Sequence, residues 1–319
     1  MIKNKKIFIS GGAGFIGSYL CERLIEHNRI TVYDNYHRNA LKFTNLLKNP
    51  HLNFIKGDVL DRYRLEESMQ GSDIVLHLAA IAGIDTVVKK PIVTMKVNLL
   101  GTHHTLEAAV KNKIKKFINF STSEVYGPYV YKGGENDLTT QGEVGKLRWT
   151  YSASKLAAEH MAHCYYKEYG MGVISVRPFN VYGPRQVGEG AIIKFIQACS
   201  NKKNIFIYGD GTQIRAWCYI DDFVDGIMLL LEKNGLSGQS FNIGNPQGTI
   251  TTLRLAERII ELSGSKSKVF FKKSNMPDVE VRVPSIIKAQ KFLGFNPKVG
   301  LDEGIKKTIE WYRNNNNVT

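Results

Sequence analysis

The sequence predicts an α/β fold: a parallel sheet wound with helices on both faces, followed by a smaller α/β C-terminal region. Three observations predict it. Short β-branched runs alternate with longer helical patterns through the first 180 residues, the rhythm of βαβ units. Runs such as Ile74-Val75-Leu76 are apolar at every position, as strands covered on both faces are. A glycine-rich turn, Ser10-Gly11-Gly12-Ala13-Gly14-Phe15-Ile16-Gly17, stands between the first strand pattern and the first helical one.

Taken in order, strands are expected at residues 6–10, 30–33, 52–56, 74–78, 117–121 and 173–177. Helices are expected between them at 15–27, 62–69, 92–111 and 150–169. After Pro178 glycine and proline break this rhythm, and helical patterns recur at 191–200, 222–232, 252–262 and 301–312. That half reads as a smaller, loop-rich region over the sheet. Asn314-Asn315-Asn316-Asn317 reads as a fraying polar tail.

Composition excludes several classes. Apolar residues make 43% and charged residues 23% of 319, a globular balance rather than a disordered one. No apolar run approaches the ~18 residues that span a bilayer. The apolar stretch after the first lysines is only Ile7-Phe8-Ile9, too short for a signal-peptide core, so a cytoplasmic chain without a membrane partner is expected. Cys21, Cys164, Cys199 and Cys218 lie far apart, which argues against a disulfide framework and a metal site. Lys plus Arg (43) exceed Asp plus Glu (29) by 14, which suits nucleic acid, an anionic surface or an anionic small molecule. The lysine clusters at 111–116 and 266–273 lie around element ends and read as solvated faces, so no nucleic-acid partner is expected.

The motifs narrow the choice. Gly12, Gly14 and Gly17 form G-x-G-x-x-G, and Gly11 adds a second glycine frame. Small residues let the backbone approach a pyrophosphate, and the following helix offers free N–H groups. Asp34 ends the second strand 20 residues past Gly14, where a carboxylate accepts from ribose hydroxyls and repels a 2′-phosphate, favouring NAD over NADP. Asp58 is either an adenine-end ligand or an ordinary turn residue. Tyr151 and Lys155 are four apart on a helical pattern and share a face. A nearby ammonium is expected to lower the phenol from its usual ~10. Thr122 follows the fifth strand, where its hydroxyl either meets a reacting alcohol or caps a turn.

The ordered set resembles the extended short-chain dehydrogenase/reductases. Its members are the glycine turn, His77-Leu78-Ala79-Ala80, Asn98, Ser121-Thr122-Ser123-Glu124-Val125-Tyr126-Gly127, Tyr151 with Lys155, and Arg177-Pro178-Phe179-Asn180-Val181-Tyr182-Gly183-Pro184. More narrowly it resembles the NAD-dependent nucleotide-sugar epimerases, dehydratases and decarboxylases. The resemblance implies a Rossmann-type NAD-binding domain at 1–179. A nucleotide-sugar-binding region follows at 180–319, of which about 213–244 returns to the first domain. It implies NAD held by Gly11, Gly14, Phe15, Ile16, Gly17, Asp34, Asn35, Asp58, Val59, Leu78, Ala79, Ala80, Asn98, Tyr151 and Lys155. Asn180, Arg185, Arg215 and Arg282 are implied at the nucleotide sugar, Arg215 either near C5 or on the diphosphate and Arg282 either as a diphosphate clamp or as a surface arginine, and helices 92–111 and 150–169 at a homodimer interface. His77 is assigned no chemistry.

By the same resemblance Tyr151 takes the proton of the sugar C4 hydroxyl, Lys155 tunes it, Thr122 positions the substrate, and the C4 hydride goes to NAD. The resulting ketone acidifies C5–H and makes a C5 carboxylate a β-keto acid. Catalytic Thr122, Ser123 and Glu124 then discriminate. Ser123 stands where a 4,6-dehydratase needs a proton donor, and Thr-Ser-Glu-Val-Tyr-Gly resembles UDP-glucuronate decarboxylases. Arg148-Trp149-Thr150-Tyr151 and Gln213-Ile214-Arg215-Ala216-Trp217 resemble decarboxylase segments too, whereas loop 81–86 is closer to epimerases and dehydratases. The expectation is a UDP-glucuronate decarboxylase. The alternatives are a UDP-sugar 4-epimerase, a nucleotide-sugar dehydratase or, in a different class, a silent NAD- or RNA-binding protein.

Overall fold

The computed structural model describes residues 2–274 and 276–315. Seven strands form the main sheet, all pairs parallel. We label the first five β1 (Lys6–Ser10), β2 (Arg29–Asp34), β3 (Leu52–Lys56), β4 (Ile74–His77) and β5 (Lys116–Phe120). Val173–Pro178 and Gln239–Ile243 complete it, in the order Gln239–Ile243, Val173–Pro178, β5, β4, β1, β2, β3. The strand order reverses between β1 and β4, and the crevice at their carboxyl ends is where such sheets bind ligands.

The period of two along each strand builds two cores. Ile7 and Ile9 of β1, Ile74 and Leu76 of β4 and Ile118 of β5 face one core with Leu20, Leu24, Val224 and Ile227 from helices. Phe8, Val75 and Phe117 face the other, with Leu65, Leu106, Ala109 and Ala162. Phe8 is wholly buried, which stabilises by roughly 1.5–3 kcal/mol relative to exposure.

The structure revises several expected elements. The helix expected at 92–111 starts at Pro91 and is π-helical over Lys96–Leu100 before it resumes at Gly101–Lys111. That turn carries the buried Asn98, and π turns of this kind concentrate at functional sites. A second sheet escaped the sequence reading: Thr249–Thr251, Ile214–Ala216, Val281–Pro284 and Tyr129–Gly133, in that order. Its strands of three to five residues are too short for periodicity to register. Of the tail, Asn314 ends the helix Leu301–Asn314 and Asn315 is in a turn. Residues 316 and 317 lie outside the described residues. Among the described residues no helix is long and apolar enough to cross a membrane.

Candidate active site

The glycine turn joins β1 to α1 (Phe15–Ile25) at the strand-order reversal. Gly11 has φ +74°, and a Cβ there would lie 2.6 Å from Ala79 N. A Cβ on Gly17 would lie 2.6 Å from Gly11 O. These glycines let three backbones converge: Gly11 N donates to Tyr33 O at 2.9 Å, and Leu78 N to Ser10 O at 2.9 Å. Helix α1 has no acidic residue in its first turn and no side-chain cap, so its N–H groups are left for an anion. Phe15 and Ile16 open this helix, and half-buried Leu78, Ala79 and Ala80 form the facing wall.

Asp34 is buried at the end of β2, where Ala13 N donates to Oδ2 (3.0 Å) and Tyr36 N to Oδ1 (2.8 Å). Each oxygen keeps a further lone pair for a ribose hydroxyl. Burial raises this carboxyl above its usual value, against the two amide hydrogen bonds. Exposed Asn35 donates to Asp58 Oδ2 at 3.3 Å, and Asp58 also accepts from Leu60 N, so both Asp58 readings keep a physical basis. Val59 is buried beneath Gly101, where a Cβ would come within 2.5 Å of it. Asn98 is committed to protein: Oδ1 accepts from Ile81 N (2.7 Å), and Nδ2 donates to Ile81 O and Ser154 Oγ. It therefore pins the loop after β4 to the catalytic helix. This cradle, with its close glycines, uncapped helix start and strand-end carboxylate, fits a dinucleotide.

Thr122, Tyr151 and Lys155 come together beside the cradle. Thr122 caps the turn Ser123–Tyr126 through its Oγ1, which accepts from Glu124 N at 3.2 Å, and its side chain also hydrogen-bonds Tyr151. The capping reading of Thr122 is thus observed. Tyr151 and Lys155 lie on Thr150–Tyr169. The expected lowering of the phenol is not what the protein groups produce. Burial, then the Glu124 carboxylate, push Tyr151 up to about 12, against the Thr122 hydrogen bond and the charges of Arg38 and Arg148. Lys155 is 2% exposed, and burial brings it down to about 8 with Glu159 opposing. His77 is held in the core between Ser10 Oγ (2.7 Å) and Thr102 Oγ1 (3.0 Å). Burial and the Lys155 charge lower it to about 3, so it is neutral.

A cationic cluster surrounds Glu124. Arg148 forms a two-pronged pair with it, Nη1 to Oε2 at 2.7 Å and Nη2 to Oε1 at 2.9 Å. Burial raises the Glu124 carboxyl, but the charges of Arg148, Arg282 and Arg215 outweigh this and hold it below the usual carboxylate range. Arg215 and Arg282 face one another as register partners on Ile214–Ala216 and Val281–Pro284. Arg282 is 2% exposed and donates to Gly127 O (2.5 Å) and Ser123 Oγ (3.4 Å). Burial brings it down to about 10. Arg215 donates to Val279 O (2.6 Å) and Ile214 O (3.0 Å), with Asp278 at 3.4 Å. Arg148 Nε and Arg282 Nε are buried without a hydrogen-bond partner. Three arginines, Arg148 and Arg282 buried and Arg215 half-buried, thus stand around one carboxylate, leaving the site an excess of positive charge.

Asn180, at φ +39°, donates to Ala216 O and so fixes the strand that carries Arg215. Arg185 departs from its expected place. Its guanidinium pairs with Glu22 at 2.5 Å and stacks 3.7 Å over the Tyr19 ring, both on α1, so its charge is spent on helix packing. The sequence reading gave no role to Arg148, Glu159 or Arg38. Arg148 had a local signal, three residues before Tyr151, but its pairing with Glu124 is a tertiary fact. Arg38 donates to Ala82 O (2.8 Å) across the loop after β4.

The sequence pattern of the NAD dependent epimerase/dehydratase family matches residues 7–244. The chain belongs to this family. It is an NAD-dependent nucleotide-sugar enzyme of the extended short-chain type. The UDP-N-acetyl-alpha-D-glucosaminuronate decarboxylase of Bacillus cytotoxicus is 34% identical over 97% of this chain and 98% of its own length. UDP-glucuronic acid decarboxylase 3 of Arabidopsis thaliana is 35% identical over 99% of this chain and 91% of its own. dTDP-D-glucose 4,6-dehydratases match too, the human one at 34% over 98% of this chain. The crystal structure of the Bacillus cereus UDP-glucuronic acid 4-epimerase, with UDP-glucuronic acid and NAD, superposes with a TM-score of 0.89. It is 31% identical, covering 97% of this chain and 99% of that one.

Proposed function

We propose that this enzyme decarboxylates a UDP-uronate, with UDP-glucuronate as its substrate. The observation that carries the reading is the buried set of Arg148, Arg215 and Arg282 around Glu124, whose two unpartnered Nε atoms call for an anion. A C5 carboxylate answers that demand, as the diphosphate of any sugar nucleotide also does, and a hexose C6 hydroxyl does not; the comparison of a uronate with a hexose of the same nucleotide separates the two anions. The B. cytotoxicus relative favours a second reading of the sugar, the 2-acetamido uronate.

The residues divide the work. Bound NAD, cradled by the glycine turn and Asp34, supplies the hydride acceptor. Tyr151 takes the C4 hydroxyl proton, and Thr122 orients that hydroxyl through its hydrogen bond to Tyr151. With C4 a ketone, the C5 carboxylate leaves as carbon dioxide and its bonding pair passes toward the C4 oxygen. Protonated Tyr151 and Thr122 donate to the enolate there, and C5 regains a proton. Ionised Glu124 holds the Arg148 guanidinium in this cluster through its two-pronged pair.

Titration of the Tyr151→Phe variant with UDP-glucuronate and UDP-glucose tests the anion reading by calorimetry. UDP-glucuronate is expected to bind about tenfold tighter or better. Equal affinities would overturn it. We also propose a homodimer through Pro91–Met95 and Thr150–Tyr169, whose outward Ile92 (70%) and Tyr169 (60%) are exposed. Sedimentation of a monomer at micromolar concentration would refute this.

A further inference from the structure

Tyr151, Lys155 and Glu159 succeed one another at intervals of four along Thr150–Tyr169 and so form a row on one helix face. The chemistry described so far uses the first two. Glu159 is 6% exposed, and burying a carboxylate costs several kcal/mol unless it is fully partnered. Its partners come from three neighbouring strands of the main sheet. Ser121 Oγ, directly after β5, donates to Oε2 at 2.5 Å. Arg177, on Val173–Pro178, donates through Nε at 3.0 and 3.2 Å and pairs through Nη2 at 2.9 Å. Ser240, on Gln239–Ile243, donates to Oε1 at 2.6 Å. Glu159 thus ties the catalytic helix to the residue before Thr122 and to the far edge of the sheet. Apolar residues of similar volume often hold such a joint as well as or better than a buried ion pair. The charge therefore points to a use beyond cohesion.

We propose that Glu159 is a positioning residue of the active site: one helical turn beyond Lys155, its carboxylate keeps the lysine charged, and through Ser121 it holds Thr122 opposite Tyr151. The local electrostatics agree. Burial opposes the charge of Glu159, but Arg177 and the two serine hydroxyls outweigh it, so the carboxyl lies below its usual range and is ionised at neutral pH. Lys155, brought down by burial, has Glu159 as its stabilising partner. The other groups facing the pair are accounted for. Neutral His77 lies near Lys155. Arg177 leans on Tyr126 and Glu135 O. Lys288 Nζ donates to Ser240 O. Asp137, His160 and His163 line the cavity of about 330 Å³ beside Glu159 and Arg177.

The test follows Lys155 itself, so it does not depend on which sugar nucleotide is the substrate. In protein carrying ¹³C-labelled lysine, the Lys155 Cε signal, assigned by its loss in Lys155→Arg, is titrated with pH. The wild-type midpoint is expected near 8. In Glu159→Gln it is expected lower by about one to two units, since a carboxylate about one turn away is replaced by a neutral amide. The alkaline limb of the rate of C4 oxidation, read as NADH absorbance, is expected to move with it, and lowering the pH is expected to restore part of the lost rate. A joint that is only structural would lower the rate at every pH and leave the midpoint in place; an unmoved midpoint overturns the proposal. Should Glu159→Gln fail to fold because Arg177 is left unpaired, the double variant Glu159→Gln/Arg177→Gln removes both charges. Its midpoint is expected below the wild type by a smaller margin, and an unchanged one overturns the proposal equally.

Discussion

Replacing Arg148 by methionine removes the guanidinium, whose Cζ lies 5.0 Å from the centroid of the Trp149 ring, and keeps an unbranched apolar side chain. Arg148 is 5% exposed and Glu124 22% at the side chain, joined by two hydrogen bonds of 2.7 and 2.9 Å. Breaking a buried pair from one side costs about 3–5 kcal/mol. Because the Glu124 side keeps some solvent, about 3 kcal/mol is the appropriate end, or roughly a 5 °C fall in Tm for a chain of this size. The pH dependence separates this from a packing defect. The folded Glu124 carboxyl lies below its unfolded value, so the contribution of the pair is present above the unfolded value of about 4.3 and is lost as pH falls through the folded one. Thermal unfolding between pH 2 and 8 is expected to show a variant less stable than wild type at pH 7, with the gap steady down to about pH 4.3 and narrowing below it. Its kcat is expected to fall as well, since Arg148 is one of the groups that lower Tyr151 toward the phenolate that abstracts the proton. A constant stability gap across that range, or an unchanged kcat, would refute the reasoning.

Tyr151→Phe is expected to lose 100-fold or more in kcat while NAD still binds, measured by cofactor fluorescence; loss of cofactor affinity instead would move Tyr151 from proton transfer to binding. Gly11→Ala meets both a φ of +74° and the Ala79 backbone at 2.6 Å, so the variant is expected to lose NAD and to melt earlier; a wild-type melting curve would contradict the crowding. His77 is lowered to about 3, and the unfolded chain takes up its proton near pH 6.5, so its contribution is complete above 6.5 and is lost as pH falls toward 3. That range is worth about 5 kcal/mol, and His77→Gln is expected to flatten the slope of stability against pH there.

What the sequence made legible was local. The glycine turn, Asp34 and the Tyr151/Lys155 pair each fall within one or two adjacent elements, so their spacing carries their geometry. The second sheet was not legible, because Tyr129–Gly133 finds its partner Val281–Pro284 about 150 residues later. Nothing in either segment alone announces that pairing, yet it seats Arg282 over Ser123 and Gly127. The same limit explains Arg148 and Glu159, whose neighbours in sequence do not reveal their partners. It explains Arg185 in reverse: a motif suggested a ligand, but Glu22 and Tyr19 on α1 lie closer. The phenol followed the same pattern, because sequence shows an ammonium four residues away but not the desolvation and the Glu124 charge that raise Tyr151. The formal +14 charge was visible from composition, and the structure shows where a part of it is concentrated, in three arginines around one carboxylate.

The most direct test of decarboxylation is the mass of the nucleotide sugar recovered after incubation of the enzyme with UDP-glucuronate and NAD. The expected product is a UDP-pentose, lighter than the substrate by one carbon dioxide or, if the hydride is not returned, its 4-keto form. An unchanged mass with inverted C4 would make the enzyme an epimerase, and a product lighter by one water a dehydratase; either result rules out decarboxylation.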